Sequence, residues 1–425
     1  MTGKEAIAYI ESVPWQGTRL GLERTRQLLS ELGNPEQKLR FVHVAGTNGK
    51  GSTAAMLAAV LQQAGYTVGL YISPFLQVFN ERMSVNGEMI SDAMLGEITE
   101  QVRPAAEEMA DPPTEFELMT AIAFLYFLRQ GCDLVVLEVG MGGRLDSTNV
   151  IPPPEAAVIC NIGMDHMREL GDTLEKIAYE KAGIIKPGCD VVLYPNEDAG
   201  VMDVVRRVCQ ERGAELHTAD FSALRPLEDS IHGQRFSYRQ YEELHIRLLG
   251  AHQLRNAAVV LETVEALRRR GYAIPKRAVE EGLAAAVWPG RFEVLCTDPV
   301  FIADGGHNRQ CAAAVAAALQ TYFPGRDIDL ILGVLADKDY AAILSLLVPL
   351  ARRIYTVTPN SPRALDAAAL ARELAPYGKP TDVCVSAADA VAKAFGGAQK
   401  DAVICSVGSL YMTGEIRTAV LQRNS

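Results

Sequence analysis

The chain has no stretch of about 18 consecutive apolar residues, so nothing in it reads as a membrane span. The opening "MTGKEAIAYIESVPW" lacks the apolar core of a signal peptide, and the expectation is a cytoplasmic protein with no membrane partner. Its eight cysteines never form a C-x-x-C pair, which leaves a cysteine metal site without support. Several sit in apolar runs such as "AVICNI" and read as small buried hydrophobes in a reducing compartment. Basic charge is not in surplus either. With 41 Lys+Arg against 52 Asp+Glu the formal net charge is −11, which argues against a broad nucleic-acid-binding face. No internal repeat, low-complexity tract or guanine-specifying N-K-x-D string occurs.

What the chain does have is alternation. Helical periodicity at 4–11 and 19–32 gives way to apolar runs that read as strands: "LRFVHVAG", "YTVGLYIS", "CDLVVLEVG", "EAAVICNIG" and "CDVVLYP". Helical patterns separate them near 50–64, 91–109, 116–130, 172–182 and 199–212. Nearly continuous apolar strands, rather than alternating ones, suit a parallel sheet covered on both faces. Residues 214–249 alternate less regularly and predict an antiparallel addition. "WPG" at 288–290 breaks helix and strand alike, and the alternation restarts after it. The expectation is α/β: a P-loop, doubly wound, mostly parallel sheet domain over 1–290, and a smaller Rossmann-like C-terminal α/β domain over 291–425.

The stretch "HVAGTNGKGST", residues 43–53, stands where a strand passes into a helix. A glycine-rich turn there lets successive backbone N–H groups surround phosphate oxygens, and the helix terminus adds partial positive charge. The usual G-x-x-x-x-G-K-S/T spacing is not met: Val44 stands five residues before Gly49, and Gly51 separates Lys50 from Ser52. The tighter form G-T-N-G-K-G-S still places four small residues around a lysine. A nucleotide loop works with a metal, and other strand ends supply donors: Glu138 closes "DLVVLEVG", Asp165 and His166 close "NIGMDH", and Ser73 closes "YIS". Each has a bland alternative, a loop histidine or a turn serine among them. Their convergence at C-terminal strand ends, where open α/β sheets bind ligands, favours a site.

These motifs, with "LYISPFLQVFNERM", "LEVGMGGRLDSTNV", "NIGMDHMRELGDTLEKIAYEKAGIIKPG", "GAHQLRNAAVVL", "DGGHN" and "SLYMTGEIR", resemble folylpolyglutamate synthases and bifunctional dihydrofolate synthases, of the Mur ligase superfamily, nearly end to end. The resemblance implies an ATP-dependent ligase that adds L-glutamate to the γ-carboxylate of a folate, with dihydropteroate as a possible second substrate. It implies that Asn48, Gly49, Lys50, Gly51 and Ser52 hold the ATP phosphates, with Asn256, Arg291 and Asp304 on the nucleotide. Ser73, Glu138 and His166 match Mg²⁺ ligands, and two ions are implied. Lys181 matches a lysine that the family carries as a carbamate, and His307 a residue near the transferred phosphate and incoming glutamate. Phe116, Asp146 and Ser147 match positions near the pterin group. Phe75 stands where many members carry His, and Arg309 where Pro is common; the first leaves the preferred folate open.

The nearest rival is a Mur-type amino-acid ligase. Those enzymes place about a hundred residues before the P-loop, whereas about forty precede it here, so the expectation is a folate enzyme acting on small molecules as a monomer. The other rival is a nucleotide-dependent binding module without ligase chemistry, against which the full set of lysines and metal donors weighs.

Overall fold

The computed structural model describes residues 1–13, 19–399 and 401–424. They fall into two compact units: Met1–Arg225 with Tyr238–Leu244 and Arg255–Ala286, and Pro226–Ser237 with His245–Leu254 and Val287–Ser425.

The larger unit is built on an eight-stranded sheet. Its strands are β1 (Phe41–Ala45), β2 (Val68–Tyr71), β3 (Met83–Val85), β4 (Glu88–Met89), β5 (Leu134–Glu138), β6 (Ala156–Ile159), β7 (Asp190–Leu193) and β8 (Glu215–Thr218). They lie in the order β4-β3-β2-β5-β1-β6-β7-β8. All of β2, β5, β1, β6, β7 and β8 run parallel, and every residue of β1, β5, β6 and β7 is buried, in keeping with their nearly continuous apolar sequences. One apolar cluster joins helices Gly3–Ser12, Asp92–Glu108 and Glu115–Arg129 to the sheet, and another joins Leu174–Ala182 and Ala199–Arg212 to it.

Two features depart from the sequence reading. Residues 83–89 form a hairpin that extends the sheet antiparallel to β2, turning at Asn86 and Gly87, both with positive φ. Residues 215–218 join the main sheet as β8, parallel to β7, rather than the antiparallel addition. That addition is confined to β9 (Leu224–Ser230), β10 (Gly233–Tyr238) and β11 (Tyr241–Ile246), whose two-residue connections allow only antiparallel pairing.

The smaller unit carries six strands: β12 (Glu293–Thr297), β13 (Val300–Ala303), β14 (Ile328–Leu332), β15 (Ala351–Thr356), β16 (Thr381–Val383) and β17 (Val403–Val407). Their order is β12-β13-β17-β14-β15-β16, parallel except for β12. Apolar clusters cover both faces. The helix Leu410–Asn424, which the sequence reading did not anticipate, follows β17.

Candidate active site

The order β2-β5-β1-β6 sets four C-terminal strand ends side by side, and the chemistry-bearing residues of the larger unit follow those ends. β1 runs into the glycine turn, and the helix Lys50–Gln63 begins directly after Gly49. Gly49 has a left-handed backbone, no side chain caps the helix, and no acidic residue stands in its first turn. A helix start of this kind is an anion site.

The turn is fastened to the end of β6. The amides of Thr47 and Asn48 donate to the Asn161 carbonyl at 2.7 and 3.3 Å. The Thr47 hydroxyl donates to the Gly163 carbonyl at 3.0 Å and accepts from the Gly163 amide at 3.1 Å. At Gly46 an added Cβ would lie 2.7 Å from Cys160 Cβ, so the turn and β6 meet too closely for a side chain. Gly49 is barred twice: φ is +86°, and a Cβ would come within 2.6 Å of Asn256 Oδ1. The same contact places Asn256 against the turn. Gly49→Ala is therefore expected to cost about 1–3 kcal/mol of stability and to weaken nucleotide binding. Urea unfolding and titration with an ATP analogue check this, and unchanged values in both would mean that the backbone is not held there.

Two lysines share one acceptor. Lys50 Nζ donates to the Gly46 carbonyl at 3.1 Å and to that of Thr47 at 3.4 Å, and Lys181 Nζ donates to the same Gly46 carbonyl at 2.9 Å. Lys181 is 3% exposed. Burial first, and then the nearby Lys50 cation, pull its amine down to about 7, against partial support from Asp165. Near neutral pH much of this amine is uncharged.

The residues expected to donate to a metal follow the ends of β2, β5 and β6. Glu138 ends β5, is buried, and accepts the Ser73 amide at 3.2 Å, which brings Ser73 to it. His166 follows β6 in a left-handed conformation, φ 48°, and its amide donates to Asp165 Oδ1 at 2.9 Å. A non-glycine residue held there is strained, and strain of this kind gathers at functional sites. Carboxylate, hydroxyl and imidazole donors fit a hard divalent cation with room for water and phosphate oxygens.

A second group forms around Phe116. A Thr114–Glu117 capping box starts its helix, with bonds of 3.3 and 2.7 Å. The Phe116 ring lies where a Gly140 Cβ would come within 2.5 Å, and the Asp146 carboxylate lies 3.2 Å from that point. Ser147 and Thr120 hydroxyls meet at 2.9 Å. Asp146 is buried and accepts from the Met141 amide at 2.9 Å and from the amide and hydroxyl of Thr148 at 3.0 and 2.5 Å. Burial raises its carboxyl despite these bonds.

Sequence reasoning missed the groups that hold these in place. Thr148 also meets His43 Nε2 at 2.9 Å, and burial keeps that imidazole well below its usual range, hence neutral. With the Thr148 hydroxyl donating to Asp146, the imidazole N–H donates to Thr148. Glu81 accepts the amides of Leu76, Gln77 and Val78 at 2.6, 2.9 and 3.0 Å and so shapes the loop after Ser73. Asn161 was visible only as part of a motif block.

In the smaller unit, Asp304 follows β13. Its carboxylate accepts the Phe292 amide at 2.8 Å and the Gly306 amide at 2.7 Å. A Cβ on Gly305 would meet Arg291 Nη1 at 2.7 Å, so Arg291 lies over this turn. His307, half-buried, completes it before the helix Arg309–Tyr322.

With this geometry in view, the comparisons are specific. The chain matches the family model for the Mur ligase middle domain over residues 44–264, and that for the Mur ligase glutamate ligase domain over 290–410. It is 38% identical over 419 residues to the dihydrofolate synthase/folylpolyglutamate synthase of Bacillus subtilis (strain 168), covering 94% of this chain and 95% of that one. The crystal structure of the folylpolyglutamate synthase from Thermotoga maritima matches with a TM-score of 0.87 at 33% identity, covering 100% of this chain and 97% of that one. FolC of E. coli in complex with DHPP and ADP matches with a TM-score of 0.88 at 29% identity, covering 100% and 99%.

Proposed function

We infer the activity from one premise: the chain belongs to the Mur ligase family, in its folylpolyglutamate synthase and dihydrofolate synthase branch. It is an ATP-dependent carbon–nitrogen ligase that adds L-glutamate to the γ-carboxylate of a folate and releases ADP and phosphate. The same site takes dihydropteroate and glutamate to dihydrofolate, a reading supported by the double name of the Bacillus relative.

The observation that carries the site assignment is the buried Lys181 amine held on the Gly46 carbonyl beside Lys50. A nucleotide switch has no use for a second lysine buried there. An uncharged amine adds CO₂: the N–C bond forms, one proton leaves to solvent, and a neutral amine becomes a carbamate anion. The carbamate on Lys181, with His166, would hold one Mg²⁺, and Ser73, Glu138 and His166 another. When bound, the ions offset negative charge on the phosphate oxygens.

The chain's own groups do the rest. The amides of Asn48 to Ser52 receive the triphosphate, with Gly49 and Gly51 allowing its close approach. Lys50 leaves its loop carbonyls for the β- and γ-phosphates. The folate carboxylate is a poor acyl donor because oxide is a bad leaving group. Its oxygen therefore bonds to the γ-phosphorus as the bridge to ADP breaks, giving an acyl phosphate. The glutamate amine then attacks the acyl carbon, and the tetrahedral adduct collapses with loss of phosphate and of the amine proton. Phe116, Asp146 and Ser147 hold the pterin group. Asn256, Arg291 and Asp304 are assigned to the nucleotide, and His307 to the transferred phosphate and incoming glutamate. The phosphate and folate assignments thus fall on residues of the larger unit, and those of Arg291, Asp304 and His307 on residues of the smaller. We place the enzyme in the cytoplasm as a monomer acting on small molecules, with neither nucleic acid nor membrane as a partner; its eight free cysteines support a reducing compartment.

One assay tests the function. ADP release should require a folate and glutamate together, and tetrahydrofolate and dihydropteroate, offered separately, should each yield a product heavier by one glutamyl residue. ADP release indifferent to both cosubstrates would instead support a nucleotide-driven binding module.

A further inference from the structure

Arg82 ends the short 3₁₀ turn Phe79–Arg82 and is 9% exposed. Its Nε is wholly buried and has no hydrogen-bond partner. The nearest carboxylate oxygen, Glu115 Oε1, lies 3.9 Å from Nη2, beyond hydrogen-bond reach. The guanidinium carbon stands 5.0 Å from the Phe75 ring centroid and 5.5 Å from that of Phe79. Ring faces stabilise the charge but supply no oxygen acceptor for its N–H donors. A buried guanidinium is normally bound through its planar fork, and leaving the donors unmade is costly. As a purely structural pin, Arg82 is badly served.

Its position shows what could serve it. The Arg82 carbonyl accepts the Ile72 amide at 3.0 Å, which ties the residue to the end of β2 just before Ser73. Glu115 adjoins Phe116, whose ring lies 6.0 Å from that of Tyr71 and against the Gly140–Asp146 turn. The guanidinium with its unpartnered Nε thus neighbours Phe75, on the loop that follows Ser73, and Glu115, next to the group assigned to the pterin.

We propose that Arg82 is a binding residue for the acyl substrate, donating to a carboxylate or carbonyl oxygen of the pteroyl ligand, with Phe75 and Phe79 walling the fork and Glu115 balancing its charge. This rests on the functional reading above and adds an anchor that the family resemblance did not supply.

The test compares wild type, R82M and R82K by titration with folate, with dihydropteroate and with a non-hydrolysable ATP analogue, alongside melting curves. R82M should bind the pteroyl ligands about 10- to 100-fold more weakly. Its nucleotide affinity should be unchanged and its melting temperature equal or higher, because an ill-paired buried cation has been removed. R82K should recover part of the affinity. Loss confined to folate puts the oxygen on the glutamyl tail; equal loss for both ligands puts it on the pteroyl part. Pteroyl affinity within about twofold of wild type in both variants overturns the proposal, whatever the stability. If R82M does not fold, R82K and R82Q decide by the same criterion. Wild type that binds neither pteroyl ligand would defeat the functional reading itself, a separate result.

Discussion

Lys50→Ala is expected to lower folate- and glutamate-dependent ADP release by about a thousandfold, with little change in the melting transition. The expectation follows from how little Lys50 does for the fold. Its amine makes only two bonds, to the Gly46 and Thr47 carbonyls of its own turn, and neither is a structural link to another element. The turn is fastened instead through Thr47 and Asn48 to Asn161 and Gly163. Removing the amine therefore spares the turn while removing the charge that would meet the β- and γ-phosphates. Steady-state turnover and thermal melting measured on one preparation check both halves. Near-normal turnover would detach this loop from phosphoryl transfer.

Lys181 variants should separate chemistry from stability in the opposite sense. Lys181→Ala should lose activity by about a hundredfold or more, and short carboxylates such as formate or acetate should restore part of it by standing in for the carbamate. Lys181→Met should be equally inactive yet more stable than wild type by about 1–4 kcal/mol in CO₂-free buffer near neutral pH, because it replaces a buried, partly charged amine held by one carbonyl with apolar bulk. The sign of the pH dependence is fixed. The folded amine titrates at about 7 against an ordinary 10.5, so between those values the unfolded chain binds the extra proton. Wild-type stability from this group rises with pH across that window, and the advantage of the methionine variant shrinks with it. Carbamate formation at constant CO₂ should rise over the same range, as the uncharged amine becomes available. Full activity in Lys181→Ala without added carboxylate would remove the carbamate from the mechanism.

The main strands and helices were legible because they are uniformly buried or strongly periodic. The helix expected near 50–64 is Lys50–Gln63, and the strand in "CDLVVLEVG" is β5. The hairpin of β3 and β4 was missed although Asn86-Gly87 signals it, since only three and two residues pair on either side. β8 looked like the start of the irregular segment because an edge strand, half-exposed in three of four residues, lacks the apolar continuity of its neighbours. At the site, the strand-end residues were readable from position alone: Glu138, Ser73 and His166 follow parallel strands that the order β2-β5-β1-β6 then aligns. Contacts made across long sequence separations were not. By itself "YEKAGI" reads as a surface helix, and only the packing of that helix near the Gly46 turn buries Lys181. The His43–Thr148–Asp146 chain spans more than a hundred residues and has no local signature.

The account stands on an acyl phosphate formed between the substrate carboxylate and the γ-phosphate of ATP. Folate with both oxygens of its γ-carboxylate labelled with ¹⁸O tests this directly, because the oxygen that attacks phosphorus must leave with it. Mass analysis should find one ¹⁸O in each phosphate released and one in the new amide. Phosphate free of label, with ADP still formed in step with product, would contradict it.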